Sequence, residues 1–433
     1  MSSLWSKTIT LPIFPPLKKD IAKTDVLIIG GGLAGILCAY LLEQARIPYL
    51  LVEANTICSG ITKNTTAKIT SQHGLLYHKL MKQYGEEKTQ LYLDANESAL
   101  EEYKILCKTI PCDFEEKASY VYSLTNENLL EKELNALSKL MFPAEYISSL
   151  PLPITTKGSI MFPSQAQFHP LKFLSTIAKP LHIYEHTKVQ ELIDTTAITN
   201  YGKIIAKNII VATHFPFLNK HGSYFLKMYQ HRSYVLALEH TSLVPNMYVD
   251  ESEKGLSFRP YQNYLLLGGG SHRTGKQGGS YMELRNFAKI HYPNAKEVAH
   301  WATQDCMTLD NIPYVGHYSK HTPHLYVITG FNKWGFTSAL AGSHILCDML
   351  LEKQNPYAEI FSPSRSILKP QLFINATEST INLITPAKKR CPHLGCALKW
   401  NPEEHTFDCP CHGSRFTESG KLIDNPATND LAP

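Results

Sequence analysis

The sequence predicts an α/β chain with an interleaved antiparallel sheet and a small domain appended at its C-terminal end. Three observations predict it. A strand–glycine turn–helix–strand unit occupies residues 25–53. Strands with period-two alternation fill 225–270. Four cysteines and three histidines crowd into 391–416.

At 433 residues the chain exceeds one ordinary core and allows two or three domains. A hydrophobic fraction of 43% against 18% charged predicts buried cores and not disorder. The net charge of +4 is small, and the longest basic run is "KKR" at 388–390, so nucleic-acid binding is not expected. "MSSLWSKTITLPIFPPLKKD" lacks a basic stretch followed by an apolar core, so no secretory leader is expected. The longest apolar run starts at Val26 and is broken by three glycines, too soon for a membrane span. A soluble, cytoplasmic protein is the expectation. In that compartment the scattered Cys38, Cys58, Cys107, Cys112, Cys306 and Cys347 read as reduced core residues, and the clustered cysteines as metal ligands.

The elements follow in order. "DVLIIG" is a buried strand, "LAGILCAYLLEQAR" a helix and "PYLLVEA" a second buried strand. Residues 77–140 read as helical, with charges on one face. Between 158 and 212 short strands alternate with one helix, ending in "KNIIVATH". The longer strands of 225–270 suggest a separate antiparallel sheet. "GGGSHRTGKQGG" (268–279) has the wrong spacing for a nucleotide turn and reads as a hairpin loop. "LYVITG" is another buried strand, "FTSALAGSHILCDMLLEK" a helix returning to the first domain, and "SPSRSILKPQ" a linker. The expected partition assigns 20–75, 155–220 and 300–354 to a nucleotide-binding domain. It gives 76–154 and 221–299 to a substrate or cap domain, 355–370 to a linker and 371–433 to the last domain.

Gly30-x-Gly32-x-x-Gly35 follows a strand and opens a helix, as in a Rossmann-like unit. Gly30 allows the tight turn, Gly32 admits a pyrophosphate to the backbone, and Gly35 lets the helix pack on the sheet. Ala34 lies in the same turn, where the helix N-terminus meets the phosphates. Glu53 ends the second strand, next to Ala54, and can accept hydrogen bonds from ribose hydroxyls. "GITKNTTAKIT" supplies Thr62, Thr65, Thr66 and Ala67, small residues suited to a flavin's ribityl chain or, equally, to a capped helix start. No second GxGxxG follows, which removes a dedicated NADH domain and favours FAD.

With "KNIIVATH", "RSYVLAL", "YLLLGGGSHRTG", "TLDNIPYVG" and "GFNKWGFTSALAG", these residues resemble the glycine/D-amino-acid oxidase superfamily of flavoproteins over most of 20–352. The resemblance implies an FAD domain interleaved with an antiparallel substrate domain whose sheet covers the flavin ring. It implies that Glu53 binds ribose, that Val189 and Ala212, with Thr213 beside it, line the adenine side, and that Gly330, Phe331, Trp334 and Gly335 approach the ring. Trp334 also suits a core position. No catalytic acid or base stands out, and hydride transfer needs none beyond positioning. Arg259 in "LSFRPY" suits a bidentate carboxylate grip or an inter-sheet role. Lys333 suits stabilisation of reduced flavin or an exposed loop. Cys306 falls where some sarcosine-oxidase relatives carry a covalent flavin link, with a buried thiol as the default. His169 and His272 read as structural or solvated.

Near the C-terminus, Cys391-x-His393 and Cys409-x-x-His412 present two thiolates and two imidazoles from two loops. Two cysteines can hold one iron of a [2Fe–2S] cluster and two histidines the other. Zinc is the alternative, but six candidate ligands over-supply a tetrahedral ion. "CPHLGC" with "CPCHGSRF" resembles a Rieske domain of the disulfide-containing type. The resemblance implies Cys391, His393, Cys409 and His412 as ligands, a Cys396–Cys411 disulfide tying the loops, and a small all-β fold. Phe416 stands where high-potential relatives often carry tyrosine, while Ser414 remains as a hydroxyl donor, so a potential in the middle of the Rieske range is expected. Residues 353–390 leave room for little sheet before the first box. "TINLITP" supplies one strand or two, so the small sheet of this truncated domain is either incomplete or borrows surface from the flavin domain.

Together the halves resemble bacterial FAD-dependent oxidoreductases with C-terminal Rieske domains. The expected activity is oxidation of a C–N bond in an amine or amino acid, by a dehydrogenase more than an oxidase. Electrons leave the flavin singly through the cluster to an external acceptor. The alternatives are a reductase fed by an external donor through the cluster, and a structural or redox-sensing cluster.

Overall fold

The structure, a computed structural model, describes residues 2–432 and contains three sheets. The first has parallel strands Ile183–Tyr184, Tyr49–Val52, Ile21–Ile29, Lys203–Val211 and Leu325–Thr329 in spatial order, with Tyr314–His317 antiparallel at one edge. Val26 to Ile29 are buried on both faces, which is why "DVLIIG" reads as a continuous apolar run. The helix Leu33–Gln44 returns across this sheet. Its entry is set by two glycines. Gly30 has φ +113°, and a Cβ there would lie 2.6 Å from the Ala212 carbonyl oxygen. A Cβ on Gly35 would lie 1.9 Å from the Gly30 oxygen.

The second sheet runs Lys296–Thr308, Met228–Glu239, Tyr264–Arg273, Ser257–Tyr261, Met247–Asp250, Glu115–Ser123, Gly158–Gln167 and Lys68–Ile69, with Glu145–Ile147 on Gly158–Gln167. It is antiparallel except where Met247–Asp250 lies parallel to Glu115–Ser123. Three features differ from the sequence expectation. The first concerns the partition: Gly158–Gln167 and most of Lys296–Thr308 fall in segments expected in the nucleotide-binding domain, yet both belong to this sheet. They do so because each finds a full-length antiparallel partner there. The second lies in 77–140, where helices Tyr77–Cys107, kinked at Gly85, and Glu127–Lys139 bracket the strand Glu115–Ser123. The third is the supposed hairpin loop. Gly268 to Arg273 complete a strand paired with Met228–Glu239, and a short loop leads from them to the helix Tyr281–His291.

The N-terminal residues are part of the core. Trp5 is fully buried, and its indole donates to the Thr65 carbonyl at 2.6 Å. Trp301 donates to the Asn64 carbonyl at 2.8 Å. Two tryptophans far apart in the chain thus fix the threonine loop at 61–67.

The expected linker is an anchored strap. It carries the short helix Ala358–Phe361 and the buried Arg365, whose Nε and Nη2 donate to both oxygens of Asp310 at 2.8 and 2.9 Å. Arg365 Nη1 also donates to the carbonyls of Pro313, Phe361 and Ser362. Beyond it, "TINLITP" is not a strand but the end of the helix Pro370–Ile384, with proline at its first turn and Asn375 and Asn382 buried on one face. The third sheet therefore lies wholly after the first cysteine box, as four antiparallel strands of three residues each: Lys399–Asn401, Thr406–Asp408, Arg415–Thr417 and Leu422–Asp424. Among the described residues no helix is long and apolar enough to cross a membrane.

Burial alone would raise the Asp310 pKa. The Arg365 charge and its hydrogen bonds more than offset this and hold it below the ordinary carboxylate range. Arg365→Ala is expected to destabilise the protein by roughly 3–5 kcal/mol, because it leaves a buried carboxylate unpaired, as read from the denaturant midpoint. A carboxyl with a depressed folded-state pKa stabilises above its unfolded value and loses that contribution as pH falls through the folded one. The deficit of the variant should therefore shrink in acid.

Candidate active site and metal centre

A cavity of about 800 Å³ runs from the glycine turn to the second sheet. At one end stand Gly30, Gly32 and Ala34, with Glu53 and Ala54 beside them. The Glu53 carboxylate is already fixed. It accepts from the Gly31 N–H at 2.7 Å and from the Asn55 N–H at 2.8 Å, and still faces the cavity. Burial raises its pKa, and the two backbone donors oppose the rise. Thr62 accepts from the Leu33 N–H at 3.0 Å, tying the threonine loop to the helix start. Thr62, Thr65 and Thr66 form one wall, and Val189, Ala212 and Thr213 another. Phe331, Trp334 and Gly335 close the far part, where Trp334 stacks on His73 with ring centroids 5.4 Å apart. Gly35, Ala67 and Gly330 do not line the cavity; they pack behind its wall.

Of the two catalytic candidates only Lys333 reaches the cavity. Its amine donates to Ser271 Oγ at 2.7 Å, burial lowers its pKa, and Asp305 opposes that shift. Arg259 is held elsewhere. It donates to Gln167 Oε1 and the Phe168 carbonyl and lies 5.1 Å over the Trp5 ring, which makes it a buried tie within the second sheet and neither a carboxylate grip nor an inter-sheet arginine. Cys306 lines the cavity as a buried thiol whose pKa is pushed far up by burial. His169 caps the helix Pro170–Ala178, and His272 bonds the Gly270 carbonyl, so both are structural.

Sequence reasoning missed several residues in the cavity wall. Lys68 has its pKa brought down to about 7, by burial first and then by the Arg259 charge. Burial raises Asp305 and Asp250 to about 6 each. Glu251 and Glu253 stand beside Asp250. No arginine is among the described lining residues, and the cations are Lys68, Lys79, Lys188 and Lys333. These groups arrive from separate strands, so no local motif marks them.

The C-terminal domain closes part of this cavity. Its residues 422–425, 427, 428 and 430 line the wall. Asn425 Nδ2 donates to the carbonyls of Thr213 and Phe215 at 2.5 and 2.7 Å, and Lys188 Nζ donates to the Thr428 carbonyl at 2.6 Å.

The cysteine–histidine loops meet at one point beside it. The Cys391 and Cys409 thiols share a hydrogen bond, which, working against burial, brings the Cys391 pKa down to about 7. The rings of His393 and His412 lie 4.9 Å apart and nearly perpendicular. His393 Nε2 bonds Asn219 Oδ1 at 2.8 Å, leaving its buried Nδ1 without a partner. Neither ring nitrogen of His412 has one. Burial lowers these imidazoles to about 4 and about 3, so both are neutral, the form that ligates. Buried nitrogens without partners beside two sulfurs fit a two-nitrogen, two-sulfur ligand set. Cys396 and Cys411 are joined in a disulfide, which removes them as ligands although Cys396, Cys409 and Cys411 lie within 4.8 Å of one another.

A dinucleotide cavity under an antiparallel sheet, abutted by such a ligand set, defines a flavin-dependent oxidoreductase with an iron–sulfur centre. The chain belongs to the FAD dependent oxidoreductase family, whose family model matches residues 25–349, and the Rieske [2Fe-2S] domain matches residues 370–433. Its cofactors are FAD and a [2Fe–2S] cluster. The chain is 33% identical over 492 aligned residues to the Rieske 2Fe-2S iron-sulfur protein YhfW of Bacillus subtilis, covering 99% of this chain and 96% of that one. Glycine oxidase from Geobacillus kaustophilus shares the fold with a TM-score of 0.67 at 19% identity, over 80% of this chain and 100% of that one. L-proline dehydrogenase from P. horikoshii does so with a TM-score of 0.67 at 17% identity, over 79% and 98%.

Ser414 Oγ accepts from the Ala427 N–H at 2.9 Å, and its proton is directed at Cys391 sulfur. Ser414→Ala should therefore lower the cluster midpoint potential. A charge-assisted hydrogen bond of ~1.5–3 kcal/mol corresponds to about 60–130 mV for one electron. A redox titration followed by electron paramagnetic resonance checks it, and an unchanged potential would refute the assignment.

Proposed function

We propose that the protein is a cytoplasmic dehydrogenase that oxidises a C–N bond of an amine or amino acid, with electrons leaving through the cluster to an external one-electron acceptor. One observation carries the reading. Cys306 lines the cavity, its cross-strand partner is Gln230, and Gln230 Nε2 donates to the carbonyl of His412 at 2.7 Å. One strand pairing and one hydrogen bond separate the cavity wall from a candidate cluster ligand.

Bound FAD supplies a two-electron acceptor for the C–N bond, and the bound cluster a one-electron route outward. The chain's own residues do the rest. Glu53, pinned by two backbone donors, holds the ribose hydroxyls. The glycine turn and the start of the helix Leu33–Gln44 receive the pyrophosphate. Thr62, Thr65 and Thr66 would hold the ribityl chain, Val189, Ala212 and Thr213 the adenine side, and Phe331, Trp334 and Gly335 the ring. Cys391, Cys409, His393 and His412 hold the cluster. Asp250, Glu251 and Glu253 give the substrate end a negative wall that draws in a cationic amine. Lys333, braced by Ser271, supplies the counter-charge for a carboxylate when the substrate is an amino acid. Lys68, with a pKa near working pH, is suited to receive the proton the amine must lose before hydride transfer.

Anaerobic stopped-flow mixing with candidate amines tests the direction. Flavin bleaching followed by loss of the oxidised cluster signal is expected. Reduction of the cluster first, and only by an external donor, would overturn the reading. Glu53→Ala should weaken FAD retention roughly 10- to 100-fold, the loss of one or two charge-assisted hydrogen bonds, measured by flavin fluorescence after ultrafiltration. Gln230→Leu should slow cluster reduction while leaving flavin bleaching at its original rate.

A further inference from the structure

The helix Pro370–Ile384 is turned inside out. Its two asparagines and Glu378 face the protein and are partnered there, while Thr377 and Thr380 are exposed on the outer side. Asn375 accepts from Arg273 at 2.9 Å and donates to the Leu226 carbonyl, Glu378 pairs with Lys276 at 2.6 Å, and at Asn382 the side chain donates to the Glu378 carbonyl at 2.8 Å while the backbone carbonyl accepts from the Ala397 N–H at 2.8 Å. Its apolar residues face outward. Phe373, Ile374, Ile381 and Ile384 fall on the opposite side at helical spacing, and with Leu368 just before the helix they are 49–76% exposed. Leu394, 38% exposed and next to His393, extends the ridge onto the cluster loop, where a Cβ on the neighbouring Gly395 would lie 3.8 Å from Leu383. A water-facing helix ordinarily shows the reverse pattern, and a contiguous apolar ridge of this kind marks a contact surface.

We infer that this ridge seats on the surface of an anionic lipid bilayer. The ridge runs about 22 Å along the helix axis. It carries no carboxylate, and cations bound both ends: Lys369 at the start, and the exposed Lys388, Lys389 and Arg390 at the finish. Lys220, exposed and adjacent to the Asn219 that bonds His393, adds a cation beside the cluster loop. Apolar side chains in a row flanked by lysine and arginine are the pattern of a helix lying in the interfacial plane of an acidic membrane. The same cations disfavour a second copy as the occupant. Antiparallel pairing of two ridges sets Lys369 of one chain against Lys388–Arg390 of the other, and parallel pairing sets each basic end against itself. Seated in this way, the His393 side of the cluster loop faces the membrane. The inference is independent of the direction of electron flow.

Co-sedimentation of the full-length, cofactor-loaded protein with vesicles tests it. Binding is expected to vesicles of phosphatidylcholine mixed with phosphatidylglycerol, to weaken with salt, and to be much weaker with phosphatidylcholine alone. Phe373→Glu and Ile381→Glu should each reduce it by about tenfold or more, and Lys388→Glu should weaken it less. These side chains are exposed, so flavin and cluster absorbance should be unchanged, and that spectrum verifies that each variant is folded. Failure of the wild type to bind acidic vesicles overturns the inference. So does light scattering that shows a dimer abolished by Ile381→Glu, or binding that the two glutamate variants leave intact.

Discussion

One guanidinium joins the two halves of this molecule. Arg273 ends a strand of the sheet that floors the cavity. Its Nε and Nη2 donate to the carbonyls of Pro410 and Cys411, and its Nη1 donates to Asn375 on the helix Pro370–Ile384. The ring of Tyr229 lies beneath it, 4.9 Å away. The second cluster loop, the helix before the first loop and the substrate sheet are thus held by one planar cation whose donors point in fixed directions. The Gln230–Gln304 pair repeats the logic on the neighbouring strands, donating to the carbonyls of His412 and Gly413. These contacts are made to backbone oxygens of the cluster loop and not to its side chains. They set the loop's position and leave the thiols and imidazoles free for metal.

The small domain needs that help. Four strands of three residues and a core that includes Leu398, Phe416 and Ala427 enclose little apolar volume. The disulfide shortens the freedom of the two loops. The buried Arg415, bonded to Asp408 and Asp424, stitches three of the four strands. Arg232 then reaches from the substrate sheet to Glu404 of the small domain, and Glu404 also contacts Arg415. Stability comes from directional polar contacts with a larger neighbour. A domain built this way is expected in a fixed place, as the proposed electron route from cavity to cluster requires.

Much of this was legible in the sequence because it obeys local rules. The turn at Gly30 to Gly35, Glu53 at the end of the second strand, and the two cysteine boxes each combine fixed spacing with residue types that have few other uses. What was not legible depends on pairing at long range. "TINLITP" carries β-branched residues that suit a strand, but it continues a helix whose Asn375 and Glu378 find partners on a surface the local sequence does not contain. "GGGSHRTG" looks like a loop for its glycines, yet Gly268 and Gly269 are strand residues, and a Cβ would lie 2.5 Å from Ser257 Oγ at the first and 2.8 Å from Leu256 at the second. Arg273 lies in that same stretch, so the segment read as a loop holds the central tether. Arg259 was a reasonable carboxylate grip by type, but Gln167, Phe168 and the ring of Trp5, all far from it in sequence, take up its guanidinium.

The two histidines of the cluster loops are not equivalent, and the difference gives the site a direction. His412 is almost wholly buried. Its ring meets Phe215 and Phe225 edge-on, and its carbonyl is bound to Gln230, the cross-strand partner of a cavity residue. His393 is only half-buried, with Asn219 on its outer nitrogen and the exposed Leu394 beside it. A group held between them has one imidazole toward the cavity and one toward the surface. Both loops are clamped, by the disulfide between them, by Arg273 on one and by Arg390 on the Gly395 carbonyl of the other. Little need move when charge at the site changes. One histidine turned toward the cavity, one toward solvent and a rigid frame between them are the arrangement that the proposed outward electron route requires, whereas a purely structural centre would need only the frame.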